Sequence, residues 1–138
     1  MQETTGRCMC GAVRFRLIGP MRPVIACHCQ ECRQVTGHFW AATAVANSNL
    51  VLDQDGELAW YQSSKTVRRG FCRACGSTLF YNPDGEDRIA VSAGALDGDT
   101  GLALQSHVFV AEKGDYYDLP DDLPCHQGFS GQEKGDRP

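Results

Sequence analysis

The chain has 138 residues, 42% of them hydrophobic and 22% charged, a size that fits one globular domain and leaves no room for a second of ordinary length. Thirteen basic against seventeen acidic residues give a formal net charge of −4, the wrong sign for sequence-independent attraction to phosphate backbones, so no nucleic-acid partner is expected. The longest apolar runs, such as 39–46, fall far short of the roughly 20 residues of a helical membrane span, and no membrane partner is expected either.

The first ten residues carry an acid and an arginine but no apolar block of signal-peptide length, so a cytoplasmic location is expected. Over 12–18, Val13, Phe15 and Leu17 alternate with Arg14 and Arg16, the period of two that predicts a half-buried strand, taken here to start the sheet. Further short β-like runs follow at 24–27, 40–45, 50–52, 58–61, 66–72, 78–81, 89–93 and 105–110. Turn material separates them: Gly19-Pro20, Asp55-Gly56, Pro83-Asp84-Gly85 and Asp97-Gly98-Asp99. Helix is expected only over 30–35 and 96–102, because no segment keeps a 3.6-residue apolar period for three turns. The reading is a mainly β fold, an antiparallel β-sandwich with little helix, over residues 1–129 as a single domain. Residues 130–138, all Gly, Gln, Pro, Ser or charged, are expected to form a disordered tail.

Eight cysteines in 138 residues fall below the roughly 8–10% of a small disulfide scaffold, and a reducing compartment keeps thiols free. Seven of them form three groups: Cys8-Met9-Cys10, Cys27-His28-Cys29-Gln30-Glu31-Cys32 and Cys72-Arg73-Ala74-Cys75. Residues two apart on an extended backbone point to one side, so each CxC can face one ion, while CxxC curls around it. Zinc suits thiolates, and a closed structural site takes four of them. Cys8, Cys10, Cys72 and Cys75 make such a four. Cys27, Cys29 and Cys32 are then three ligands from one short segment, with a fourth tetrahedral position left for water, substrate or another side chain. Two other readings stand beside this one: disulfides, and a zinc ribbon that pairs Cys29 and Cys32 with Cys72 and Cys75. His28 points away from the face shared by Cys27 and Cys29 if the backbone is extended there, which makes it a packing or supporting residue. His38 and His107 could approach through folding, and Cys125 stands alone and is assigned nothing.

These blocks, Cys8-Met9-Cys10-Gly11-Ala12-Val13-Arg14-Phe15, Cys27 through Gly37, and Phe71-Cys72-Arg73-Ala74-Cys75-Gly76, resemble the glutathione-dependent formaldehyde-activating (Gfa-like, CENP-V/GFA domain) family. Gly94-Ala95-Leu96-Asp97, Ser106-His107-Val108-Phe109 and Asp121-Asp122-Leu123-Pro124 resemble its later blocks, while Tyr116-Tyr117 stand where many relatives carry a tryptophan. The resemblance implies an Mss-four-like, mostly β fold with two Zn²⁺ sites: a structural one at Cys8, Cys10, Cys72 and Cys75, and an active-site one at Cys27, Cys29 and Cys32. It implies carbon–sulfur lyase chemistry, in which glutathione or another small-molecule thiol adds to an aldehyde such as formaldehyde, or the adduct is cleaved.

A carboxylate-bearing substrate would find a planar cationic fork at Arg33, directly after Cys32, or at Arg68, Arg69 or Arg73. Thr36 and His38 could supply a hydrogen bond or a proton. The competing reading is a non-catalytic, zinc-stabilised ligand- or protein-binding module on the same scaffold, in which both ions only hold the fold.

Overall fold

A computed structural model of the chain describes residues 2–130. In chain order the strands are β1 (Glu3–Arg7), β2 (Arg14–Ile18), β3 (Val24–Cys27), β4 (Trp40–Val45) and β5 (Leu50–Gln54). They continue with β6 (Leu58–Gln62), β7 (Val67–Cys72), β8 (Thr78–Pro83), β9 (Ile89–Ser92) and β10 (Leu104–Val108), and the one α-helix among the described residues, α1 (Gln30–Thr36), follows β3. The protein is mainly β, as expected. The chain forms two compact units: it leaves the first after Arg22, re-enters it at Thr43 inside β4, and returns to the second at Ala103.

In the first unit β2 lies between β1 and β5, antiparallel to both, and β6, β7, β8 and β9 pair antiparallel in that order. The alternation in β2 does what its period requires, burying Phe15 and Leu17 while Arg14 stays exposed. Their side chains join Leu79, Phe80, Ile89 and Val91 in one core, with Cys8 and Cys72 part of it. Phe15 meets Phe80 edge-on, with ring centroids 5.1 Å apart, an arrangement aromatic pairs favour beyond simple burial.

Two expectations change here. The sheet starts one strand earlier than the alternation predicted, because β1 (Glu-Thr-Thr-Gly-Arg) has no apolar period to reveal it. Its buried residue is Gly6, where a Cβ would lie 2.4 Å from Cζ of Phe15, so only a hydrogen leaves room for the ring. The helix expected over 96–102 is absent. Leu96 instead makes an antiparallel bridge to Gly6, and Gly98 and Gly101 sit at φ 69° and 72°, outside any right-handed helix. Leu96 and Leu102 pack on the core from this irregular segment, which is why they looked periodic.

In the second unit β3 pairs antiparallel with β4, Cys27 opposite Trp40, and parallel with β10, His107 opposite Ala26 and Val108 opposite Cys27. That parallel pair is an exception in a mainly antiparallel fold. It joins strands far apart in the chain, as parallel pairing requires, and sets His107 beside the cysteine end of β3. Helix α1 follows at once. Cys29 is its N-cap (φ −65°, ψ 160°), with Sγ accepting from the Cys32 N–H, and Gly37 ends it at φ 85° with its N–H donating to Arg33 O at 2.8 Å. The tail expected at 130–138 lies, beyond Ser130, outside the described residues. Among the described residues no helix is long and apolar enough to cross a membrane.

Candidate metal centre

The two cysteine groups assemble as the spacing predicted, one in each unit. Cys8, Cys10, Cys72 and Cys75 bring their sulfurs within 4.8 Å of one another, and so do Cys27, Cys29 and Cys32. All eight cysteines are free, which leaves no disulfide, and Cys29 and Cys32 group with Cys27, while Cys72 and Cys75 group with Cys8 and Cys10, so the ribbon pairing is not the grouping formed.

The first group sits on two turns. Cys8 and Cys10 lie in the turn after β1, closed by Gly11 N–H to Cys8 O at 3.1 Å, rather than on the extended strand that the CxC spacing suggested. Cys72 ends β7 and Cys75 lies in the turn to β8, which is closed by Gly76 N–H to Cys72 O at 2.7 Å. Cys8 and Cys10 sulfurs are 3.6 Å apart, and Cys10 and Cys72 sulfurs 3.8 Å. A tetrahedral zinc with sulfurs at about 2.3 Å needs edges of about 3.8 Å, so the four residues fit that ion. The polar surroundings favour thiolates. The Val13 N–H donates to Cys8 Sγ at 3.2 Å. The Ser77 hydroxyl lies 3.2 Å from Cys75 Sγ and, with the Ser77 and Cys10 backbone N–H groups, brings the Cys75 thiol down to about 5. Crowding limits how many ionise without a cation: although the Ala12 N–H works to lower it, the Cys8 thiol, burial and the other two thiols push Cys10 up to about 11.

The second group comes from one stretch of six residues, Cys27 at the end of β3, Cys29 at the helix cap and Cys32 in the first turn of α1. The Cys29 and Cys32 thiols, and then burial, push the Cys27 thiol far above its ordinary range. Three such sulfurs ionise together only around a cation, which again fits zinc. Among the described residues no histidine, cysteine or carboxylate completes this group as a fourth ligand.

His107, one of the two histidines that could have done so, is spent elsewhere, together with His28. His28 and His107 are fully buried, and each has both ring nitrogens engaged. His28 Nδ1 is 2.6 Å from Tyr117 Oη, His28 Nε2 is 2.8 Å from His107 Nδ1, and His107 Nε2 is 2.9 Å from Asp121 Oδ2. Burial, and then the charges of His107, His38 and Lys113, lower His28 to about 4. The Asp121 carboxylate only accepts, so with both rings neutral one order satisfies every atom: Tyr117 O–H donates to His28, His28 Nε2–H to His107, and His107 Nε2–H to Asp121. The His107 bond, with the Leu123 N–H, holds Asp121 below the usual carboxylate range. Burial raises the Tyr117 phenol. The Lys113 ammonium lies 4.6 Å over the Tyr117 ring and donates to the Gly114 and Tyr117 carbonyls.

The other expected site residues are placed unevenly. Arg33 lies one residue beyond Cys32, its Nε buried without a hydrogen-bond partner, and its charge helps to lower the Tyr117 phenol against burial. The Thr36 hydroxyl is committed to backbone, 2.8 Å from Cys32 O and 2.7 Å from His38 O. His38 is exposed, its ring packed on Phe39 and against the edge of Tyr117 at centroid distances of 4.4 and 4.3 Å. Arg68, Arg69 and Arg73 belong to the first unit. There Arg68 stacks on Trp60, Arg69 lies over Tyr81, and Arg73 pairs with Glu57. Cys125 is exposed and belongs to neither group. From the sequence, Tyr117 and Asp121 stand only within blocks of the family resemblance and have no assigned part in the site: they lie 89 and 14 residues from their histidine partners, and nothing local announces the pairing.

Residues 3–112 match the family model of the glutathione-dependent formaldehyde-activating enzymes. An uncharacterized lyase of Schizosaccharomyces pombe is 27% identical over 120 residues, covering 86% of this chain and 87% of the yeast protein. A Halomonas elongata protein named for glutathione-dependent formaldehyde activation is 28% identical over 124 residues, covering 83% of this chain and 79% of its own length. A crystal structure of a Rhodobacter sphaeroides protein has the same fold at a TM-score of 0.59 and 26% identity, covering 70% of this chain and 91% of that one. The matched span contains all seven clustered cysteines, and this chain belongs to the glutathione-dependent formaldehyde-activating enzyme family.

Proposed function

We propose that this protein is a zinc-dependent carbon–sulfur lyase-like enzyme that joins a small thiol such as glutathione to an aldehyde such as formaldehyde, or reverses that addition, in the cytoplasm. Residues 1–129 act in this reading as one Mss-four-like domain with two ions, Cys8, Cys10, Cys72 and Cys75 holding the structural one and Cys27, Cys29 and Cys32 the one at the reaction site. The observation that carries it is the three-sulfur group without a fourth protein ligand among the described residues, beside two histidines whose nitrogens are all occupied. Zinc bound there would supply Lewis acidity at its remaining position, favouring the thiolate of an incoming thiol and polarising a carbonyl.

The chain's own residues then do the rest. Arg33 offers a cationic fork with an unpartnered Nε to a carboxylate of the thiol substrate. Phe39 and Tyr117 pack their rings on His28 and limit water there, and His38 packs on both of them. In the addition, the S–H bond breaks, an S–C bond forms to the carbonyl carbon, and one proton ends on the former carbonyl oxygen, so the sum is a hemithioacetal with no redox partner.

The test is exchange NMR on glutathione, formaldehyde and the zinc-loaded protein. Interconversion faster than the spontaneous rate, lost in Cys29→Ser, supports the reading. A rate equal to the spontaneous one removes this substrate pair, and a Cys29→Ser variant that loses only thermal stability favours the binding module instead.

A further inference from the structure

The three-sulfur loop is held from outside by one segment of chain. The His28 N–H donates to Val108 O at 3.0 Å, and the Gln30 N–H at the start of α1 donates to Glu112 Oε1 at 3.0 Å. Between them, the His28 side chain runs through His107 to Asp121 and is met by the Tyr117 hydroxyl. His28 is the residue between two of the three sulfurs, so a ring bonded at both nitrogens, together with its backbone N–H, anchors the chain between Cys27 and Cys29. Turning the ring would leave buried nitrogens unpaired.

We propose that Asp121, His107 and Tyr117 are positioning residues for the second ion, fixing His28 and through it the Cys27–Cys32 loop in its ligating shape, so that breaking one link loosens zinc there and not at the four-cysteine site. The proposal rests on the part of the reading above in which the trio holds an ion, and on nothing about the substrate. Its physical logic is the difference in ligand supply. Four sulfurs on two separate turns are braced by both, whereas three sulfurs from one short loop depend on what holds that loop. Outer hydrogen bonds of this kind change metal affinity about 10–100-fold.

The experiment follows zinc release from the fully loaded, full-length protein to the chromophoric chelator 4-(2-pyridylazo)resorcinol. Two phases are expected, the faster one absent in Cys29→Ser and so assigned to the trio. Asp121→Ala and Tyr117→Phe should speed that phase about 10–100-fold and leave the slower phase unchanged, which doubles as the control for folding. Asp121→Asn, whose amide oxygen still accepts from His107, should recover most of the loss. Imidazole ¹⁵N shifts of metal-free protein add a readout independent of zinc: His28 as the Nε2–H tautomer in the parent, and averaged tautomers in Tyr117→Phe. Identical fast phases in all variants, an equal change in both phases, or Asp121→Asn behaving as Asp121→Ala would each overturn the proposal. A responsive fast phase in a protein without adduct exchange would sink the enzymatic reading and leave this one standing.

Discussion

The two cysteine groups show two ways of building a thiol cluster. The four-sulfur group grows from the apolar core: Cys8 and Cys72 are core residues, flanked by Val13, Leu79 and Phe80, and its charge is balanced by N–H and hydroxyl donors from its own turns. The three-sulfur group grows from a polar interior, a histidine pair closed by a tyrosine and an aspartate. A cluster welded to the core tolerates little change without loss of the fold. One suspended on a hydrogen-bonded chain can be altered link by link.

The largest effect should therefore separate the two groups directly. Structural zinc in small domains supplies about 10–16 kcal/mol of apparent binding free energy that is also folding free energy. Cys72→Ser is expected to abolish cooperative thermal unfolding or lower its midpoint drastically, whereas Cys29→Ser should keep the fold and reduce bound zinc from two ions to one by elemental analysis. A fold that survives Cys72→Ser would break the comparison. Next in size is the core beneath the four-sulfur group. Phe15→Ala removes a fully buried ring from the Phe80 contact and should cost about 3–5 kcal/mol in denaturant unfolding. Gly6→Ala forces a methyl into the same ring and should cost about 1–3 kcal/mol. On the other side, Gly37→Ala introduces no contact but keeps φ at 85°. It should cost about 1–2 kcal/mol by strain alone and speed zinc loss from the trio, whose third sulfur its helix carries.

How much of this was legible in the sequence follows the range of the forces involved. Ligand spacing is local, so the four-plus-three division of cysteines could be read directly, and β3 and β4 fell at their expected bounds because apolar runs edged by turns are local too. β1 was invisible because its one buried position is a glycine, chosen for what it lets Phe15 do rather than for hydrophobicity. The segment 96–102 misled for the opposite reason: Leu96 and Leu102 reach the core from irregular backbone and so mimic a helical period. His107 was weighed as a ligand, yet its role follows from the parallel register that sets it opposite Ala26, and no pattern in the strand specifies that register. Tyr117 and Asp121 are readable only once that register is known.

The smallest expected effect concerns the rim of the first unit and sets a baseline for the rest. The Arg16 guanidinium meets both oxygens of Asp53, with Nε–Oδ2 and Nη2–Oδ1 at 3.0 Å, and Glu3 stands 3.5 Å away. The Arg16 hydrogen bonds hold the Asp53 carboxyl below its ordinary value of 3.8. A carboxyl with a lowered pKa in the folded state binds fewer protons folded than unfolded near that pH, so its contribution is complete above about pH 4 and is lost as pH falls through the folded value. Both side chains are over one-third exposed, and water and salt screen them. Asp53→Asn should thus lower the melting temperature by no more than about 2–4 °C, by the same amount at every pH from 8 to 5, and by less in 1 M salt. Metal–thiolate bonds respond differently, since protons compete for every sulfur. A difference between parent and Asp53→Asn that grew on acidification within that window would tie the rim to the four-sulfur cluster, whereas a constant one leaves the acid sensitivity of the first unit to its thiolates.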